Sequence, residues 1–498
     1  MSIDSSLTEP DSPETELFVE SPSERSRSFD SSSRRLNKIK QITGDDVAQA
    51  VHDGKLAQAS CPWYLRPICG EDEIRYDYNG SVAAGTLAAL VEALTSEPLH
   101  QSLDAKLRHT FFSTFRTMGT SAEVYNLLLR HFHQQQPLGL TGAEADDWRL
   151  KRLYPSQCRV LNTFKTWLVA YHMIEDDPPI ARQLQEFLPN VTSPAEIATA
   201  AEEVMDTLKH LTFALPGDAA TMGTPPKRRK NTRDSKRELL RLDPSVLAEN
   251  LCIYESGLYS KIRRQECLER ISARTGDSAA NLSAFCSTHD RLASWVKHSI
   301  LWNDNLGRRA DLVDFWIKVA EKCRGLHNYS SMSAIVTALS SSDISRLHLT
   351  WAHVNKKAHL EPLVQLNDPS GNFSAFRSVQ RTCDLPSVPF IGPYLTDIIH
   401  IKDQYIHRDN PVTTARGPAL LFNFVKRRKW TDVLDTIFRH QSKQYTFSPT
   451  PAVMSQIETQ LNVAAGVEQA AFWARSADVQ REERASADLR RGLEAAGF

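Results

Sequence analysis

The 498-residue sequence lacks the marks of a secreted, membrane-spanning or nucleic-acid-binding protein. Its eight cysteines are scattered without a CxxC pair, which indicates reduced thiols rather than a disulfide framework. No apolar run approaches the roughly 20 residues that a spanning helix needs, and Met1–Glu20 has no signal-peptide pattern. The formal net charge is −1, so no global field attracts nucleic acid. We expect a cytoplasmic protein with no nucleic-acid partner, whose recruitment to the inner face of the plasma membrane would be peripheral.

Conventional catalytic motifs are also missing. The sequence contains no GxSxG elbow, no HExxH pair and no GxxxxGK[ST] phosphate loop. His400 lies near Asp403, but no nucleophile motif accompanies them. We therefore expect a protein that makes and breaks no covalent bond, with no cofactor and no metal site.

Apolar residues recur with the helical period along most of the chain. One such stripe follows Asp243 and Pro244, which suit the cap and first position of a helix. We see no alternating strand pattern of useful length in the larger region. The sequence predicts an all-α protein of two packed helical domains, the smaller preceding the larger. The stripe consists of Leu247, Leu251, Tyr254, Leu258 and Ile262.

We divide the chain into six segments: composition marks the leader and the linker, and the bounds of the two helical domains are those implied by the family resemblance given below. The first is rich in Ser, Glu, Asp and Arg and cannot bury enough apolar surface to fold. The linker carries the basic cluster Lys227–Lys230; a solvated linker is favoured over a nuclear signal or a contact with acidic lipid. The predicted segments are a disordered leader (1–35), a docking segment (36–79), a first helical domain (80–212), a linker (213–238), a second helical domain (239–485) and a tail (486–498).

One stretch, LPSVPFIGPYLTDIIHIKDQYIHRDNPVTTARGPALLFNFVKRRK, predicts a helical hairpin. Its prolines form a rigid turn before a first helix over Tyr394–Ile401. A polar loop, Arg408–Gly417, then leads to a second helix over Ala419–Lys429. Ile399 and Asp403 are four residues apart, so they share one face of the first helix. A hairpin with an apolar and an acidic side chain near its tip is suited to insertion into a partner.

Two motifs within this stretch, VPFIGPYLTDI and FNFVKRRK, resemble the catalytic domain of Ras-type guanine nucleotide exchange factors of the Son of sevenless class, in a fungal-type member. Upstream, GTLAALVEALT, FFSTFRTMGTSAEVYNLL and RVLNTFKTWL resemble the Ras exchanger motif that precedes this domain and braces its hairpin. The resemblance implies an exchange factor that binds the nucleotide-free form of a Ras-family small GTPase. It leaves open whether that GTPase is Ras, Rap or Ral.

The resemblance also implies roles for individual residues. The hairpin of the family supplies an apolar side chain that displaces Mg²⁺ and an acid that replaces phosphate contacts, and these roles fall on Ile399 and Asp403. Asp403 is shorter than the Glu often found there, and Ser340 stands where many members have Asn. The residues implied to bind the GTPase are Ser340, Arg346, Leu347, Phe390, Tyr394, Leu395 and His400.

Several alternatives remain open. Ile399 could be an ordinary packing residue of the hairpin, and Arg346 and Leu347 could be structural. The basic run Lys426–Lys429 is interpreted as a solvated face that supports the hairpin base. For the whole chain, the alternatives are a catalytically weak homologue that acts as a GTPase-binding scaffold, and an α-helical adaptor.

Overall fold

A computed structural model describes most of the chain; the predicted leader, residues 36–60 of the predicted docking segment and residues 215–238 of the predicted linker lie outside the described residues. Within them, no helix is both long and apolar enough to cross a membrane. All eight cysteines are free thiols. The described residues are 61–98, 100–214, 239–269, 279–405, 409–415 and 417–495.

The first helical domain packs around an aromatic core in which Phe111, Phe164 and Trp167 are fully buried. Thr120 and Glu123 form a reciprocal capping box at the start of the helix Ser121–Phe132. The preceding Tyr64 side chain docks on this domain by donating to Asp147 over 3.2 Å. The helices are α1 Leu87–Thr95, α2 Gln101–Thr114, α3 Ser121–Phe132, α4 Gly142–Trp148, α5 Tyr154–Ala170, α6 Met173–Asp176, α7 Pro178–Phe187 and α8 Ala195–Ala214.

The second domain packs its helices around a larger core that contains Trp295 and Trp316. Asp243 caps its first helix and Pro244 opens it, as expected. The last helix runs to Ala495, into the predicted tail. The helices are α9 Pro244–Tyr259, α10 Arg264–Glu269, α11 Ala280–Leu301, α12 Leu306–Gly325, α13 Tyr329–Ser340, α14 Ser342–Ser345, α15 His348–Ala352, α16 Lys357–Leu366, α17 Ser370–Thr382, α18 Gly392–Gln404, α19 Phe424–Phe438, α20 Pro451–Ala465 and α21 Gln469–Ala495. The all-α prediction is confirmed; the proposed segment boundaries stay predictions.

A small antiparallel sheet corrects the prediction for the hairpin. The second helix does not begin at Ala419, because the predicted loop and the start of that helix form two paired strands instead. The sheet joins the two domains: Ala84 pairs with Asn423 and Gly85 with Phe422. The strands, in the sheet order β1-β2-β4-β3, are β1 Ile74–Tyr76, β2 Val82–Gly85, β4 Gly417–Asn423 and β3 Asn410–Thr414.

Two phenyl rings also connect the two domains. Phe422 and Phe424 are part of the second domain's hairpin in sequence, yet both belong to the core of the first domain. Both are buried. The base of the hairpin is therefore part of the first domain's interior.

We expect a chain that begins at Leu239 to lose cooperative melting, because it exposes both rings and the β4 edge. Circular dichroism melts and size-exclusion chromatography measure this. The matched control is the same truncation carrying Phe422→Ser and Phe424→Ser, which should aggregate less. A truncated chain that melts at the full-length temperature would show that the first domain is dispensable for folding.

Candidate functional site

Helix α18 lies at the centre of the candidate site, and the predicted first helix of the hairpin is confirmed within it. Gly392 and Pro393 lie in its first turn, where a missing N–H costs little. The chain before it is fixed to α13: the Tyr329 N–H donates to the Val388 carbonyl over 2.9 Å. Val388 is fully buried. The helix therefore starts from a rigid point of the larger core.

One side of α18 packs against α19. Ile398 is fully buried, and the indole Nε1 of Trp430 donates to its carbonyl oxygen over 3.0 Å. A side-chain donor to a mid-helix carbonyl is a specific attachment, because that carbonyl normally serves only its own helix. The side of α18 at Ile398 cannot face a partner.

The next residues around the helix face solvent. Ile399 is 44% exposed, and His400 and Asp403 are exposed. Ile399 and Asp403 lie one turn apart on α18, as the spacing predicted. Ile399 therefore does not fill the core, and both side chains are accessible to a partner.

The aromatic residues at the root of α18 differ in exposure. Phe390 is half-buried and stacks on His289, with 5.4 Å between the ring centroids. Tyr394 is buried, and its hydroxyl donates to the Gln380 side chain over 2.9 Å. Burial raises the pKa of Tyr394 to about 12. Phe390 and the half-buried Leu395 keep surface for a partner, whereas Tyr394 serves the packing of α18.

The second predicted group lies after α13. Ser340 is exposed at the end of that helix, and Arg346 is half-buried with its guanidinium 5.7 Å from the Trp473 ring centre. Leu347 is fully buried in the core, which favours the structural alternative for this residue, and its contact with the GTPase stays a prediction. Sequence reasoning missed the exposed Trp473 beside Arg346, because it lies on the distant last helix.

The interpretation of Lys426–Lys429 as a solvated face is wrong for its first two residues. Lys426 and Arg427 are buried, and burial lowers the pKa of Lys426. The guanidinium of Arg427 donates to Asp409 over 3.1 Å and to the Thr117 hydroxyl over 3.2 Å. Burial alone would raise the pKa of Asp409, but Arg427 holds it below its ordinary value. Arg427 therefore ties the base of the hairpin to the first domain.

Two further ion pairs cross the same joint. Arg428 donates to Asp77 over 2.5 Å. Asp435 on α19 accepts from His109 of the first domain over 2.9 Å and from Arg264 over 2.8 Å. Burial alone would raise the pKa of Asp435, but the bonds from His109 and Arg264 hold it below its ordinary value.

No candidate metal centre competes with this arrangement in the part of the chain that the structure describes. There, no cluster of three or more His, Cys, Asp or Glu residues could hold a metal ion. What the site offers is a rigid helix with one exposed apolar and one exposed acidic side chain.

Comparison with known protein families identifies the family of this chain. Residues 246–428 match the RasGEF domain, and residues 81–187 match the RasGEF N-terminal motif. The chain belongs to the RasGEF family. Of the two motifs that carried the resemblance at the hairpin, VPFIGPYLTDI lies within the RasGEF match and FNFVKRRK lies within it up to Arg428; the upstream pieces lie in the N-terminal match.

Fungal exchange factors are among the similar proteins. The chain is 28% identical over 422 residues to cell division control protein 25 of Candida albicans, covering 81% of this chain and 30% of that protein. It is 28% identical over 423 residues to guanine nucleotide exchange factor SDC25 of Saccharomyces cerevisiae, covering 81% and 34%. It is 26% identical over 389 residues to Ras guanine nucleotide exchange factor efc25 of Schizosaccharomyces pombe, covering 76% and 38%. The chain thus spans about a third of the length of these relatives.

Proposed function

We propose that this RasGEF chain accelerates GDP release from a Ras-family small GTPase by inserting the exposed face of α18 into its nucleotide and Mg²⁺ site. The observation that carries the proposal is that Ile399 and Asp403 are both exposed on a helix whose neighbouring side is fixed by Trp430. Ile399 would displace the ion, and Asp403 would take over hydrogen bonds that the phosphates make.

The energetics of exchange require no covalent chemistry. A nucleotide held with picomolar affinity is bound by about 16 kcal/mol. With an association rate constant of order 10⁷ M⁻¹s⁻¹ it leaves only over many hours. A partner that binds the loosened state better speeds release about tenfold for each ~1.4 kcal/mol of differential binding. Each side chain on α18 needs to supply only a small part of the total.

The test is release of fluorescently labelled GDP from a panel of Ras, Rap and Ral proteins by sub-stoichiometric amounts of the chain. The release rate should rise with the chain's concentration for at least one of them. The complex with the nucleotide-free GTPase should dissociate when excess GDP or GTP is added, because the two ligands are linked. A scaffold would bind equally with and without nucleotide and release none. Recruitment to a membrane surface stays a prediction.

We expect Asp403→Asn to slow GDP release about tenfold or more, because hydrogen bonds to a charged group contribute about 1.5–3 kcal/mol. Asp403→Glu should keep the rate or raise it, because the longer side chain reaches further into the partner. Both are measured as release rate per folded molecule. The matched control is Asp206→Asn, which removes an exposed carboxylate of the first domain. Equal rates for Asp403→Asn and the wild type would remove Asp403 from the mechanism.

A further inference from the structure

Helix α17 begins with a short left-handed run of backbone. Gly371, Asn372 and Phe373 have φ values of 60°, 57° and 57°. This conformation is ordinary for Gly and tolerated by Asn, but it is unfavourable for Phe. Strain of this kind persists where surrounding contacts over-determine it, and it is concentrated at functional sites. The contacts that the run makes are therefore informative.

The left-handed run contacts α18 at Asp397, two residues before Ile399. The Asn372 Nδ2 donates to Asp397 Oδ1 over 2.9 Å, and an Arg377 guanidinium nitrogen lies 2.7 Å from Asp397 Oδ2. Arg377 also donates to the Asn372 side-chain oxygen over 3.1 Å and to its backbone carbonyl over 2.6 Å. We call Asn372, Arg377 and Asp397 the clamp. Each of the three side chains contacts the other two.

The ion pair of the clamp is partly shielded from water, although Asn372 is exposed, and the clamp contacts Tyr394 near the start of α18. The side chains of Arg377 and Asp397 are only 22% and 19% exposed, so their attraction is screened less than that of a surface pair. The Arg377 guanidinium lies 4.5 Å from the centre of the Tyr394 ring. Phe373 packs against Phe390 with 5.7 Å between ring centroids. The left-handed run thus contacts the segment just before α18 through Phe373 and the middle of the helix through Asn372.

We propose that the clamp sets the rotation of α18 about its own axis, and that Asn372, Arg377 and Asp397 are positioning residues for exchange. The Trp430 bond to Ile398 and the Tyr394 bond to Gln380 hold the core-facing side of α18. Asp397 precedes Ile398 and lies about 100° around the helix from it, so the clamp supplies a further attachment in another direction. Together these attachments fix where Ile399 and Asp403 point. The inference rests on the exchange function proposed above.

The contacts of the clamp allow a reciprocal exchange of residue types. Asn372→Asp alone places two carboxylates face to face, and Asp397→Asn alone removes the ion pair with Arg377. The double variant Asn372→Asp with Asp397→Asn reverses donor and acceptor between positions 372 and 397 while leaving every contact of Arg377 possible. Asp and Asn both tolerate the left-handed conformation, so the backbone conformation at position 372 should be the same in all of these variants.

The test measures kcat and KM for GDP release, the melting temperature, and hydrogen exchange of the α18 amides. We expect Asn372→Asp to lower kcat about tenfold with KM unchanged, since a small misplacement of reacting groups is costly. Its α18 amides should exchange faster, while those of α5 in the other domain stay unchanged. The double variant should recover both kcat and protection.

Three outcomes overturn the proposal. An unchanged kcat in Asn372→Asp would show that rotation of α18 is not limiting. A rise in KM alone would make these residues direct contacts of the GTPase. Failure of the double variant to recover would show that the contacts do not act together. If the wild type releases no GDP, the proposed function fails, and hydrogen exchange of α18 in the same variants still decides whether the clamp fixes the helix.

Discussion

Ile399→Ala should slow GDP release by about three- to tenfold while leaving the fold nearly intact. Fully burying an isoleucine side chain contributes about 1.5–3 kcal/mol, and the 44% of Ile399 that is exposed in the free chain becomes buried only in the complex. Because each ~1.4 kcal/mol is a factor of ten, the loss appears in the release rate. The measurement is the release rate per folded molecule, with a thermal melt of the same sample.

Two matched controls separate this effect from general damage. Val463 on α20 has the same 44% exposure as Ile399, so Val463→Ala should change neither melting nor exchange. Ile398 is fully buried beside Ile399, so Ile398→Ala should cost roughly 2–5 kcal/mol of stability. A large drop in melting temperature for Ile399→Ala, with an unchanged rate per folded molecule, would make Ile399 a packing residue and refute its role.

Arg427→Met should lower the free energy of unfolding by about 3 kcal/mol. Removing one partner of a buried ion pair costs about 3–5 kcal/mol because the other group stays buried without its partner, and partial exposure of Asp409 places the expectation at the low end. Arg427→Lys should recover only part of the loss, since an ammonium cannot reach Asp409 and Thr117 in the planar geometry of a guanidinium. Chemical denaturation of each variant measures the difference.

The neighbouring Arg428 provides the control. Its pair with Asp77 is a quarter exposed on each side, so Arg428→Met should cost about 1 kcal/mol or less. If Arg427→Met and Arg428→Met lose the same stability, the buried pair contributes no more than a surface pair.

The same pair predicts the direction of a pH effect. The pKa of Asp409 is lower in the folded chain than its ordinary value. The ionised form is therefore stabilised on folding, and this contribution is present above the ordinary pKa and is lost as pH falls through the folded pKa. Wild-type stability should fall more steeply in acid than that of Arg427→Met. Parallel curves for the two would contradict the assignment.

The sequence predicted the first helix of the hairpin because that signal is local. No Gly or Pro interrupts Tyr394–Ile401, and the apolar period is clear. The second half failed because Leu420, Leu421 and Phe422 form a short apolar run that periodicity cannot assign to helix or strand. One of its two partner strands, β2, lies more than 300 residues earlier, and no local pattern shows that pairing.

The sequence analysis also did not predict that the charged residue Arg427 is buried. Arg427 follows Phe424 by three residues and precedes Leu434 by seven, so it lies on the apolar stripe of α19. That spacing could have shown that Arg427 faces inward. What it could not show is the partner in the first domain, because Thr117 is 310 residues away. The left-handed run at the start of α17 was also not predicted, since its contact with Asp397 on α18 appears only in the folded chain.

The position of Phe422 and Phe424 has a consequence for grafting. A chimera that joined the first domain of this chain to the RasGEF domain of a relative would cut between α8 and α9. The first domain of this chain would then contain a socket for two phenyl rings, and the RasGEF domain of the relative would have to supply both rings from its own hairpin. Relatives could therefore exchange these domains freely only where the residues at those two positions match, so the socket, rather than the linker, sets which halves are compatible.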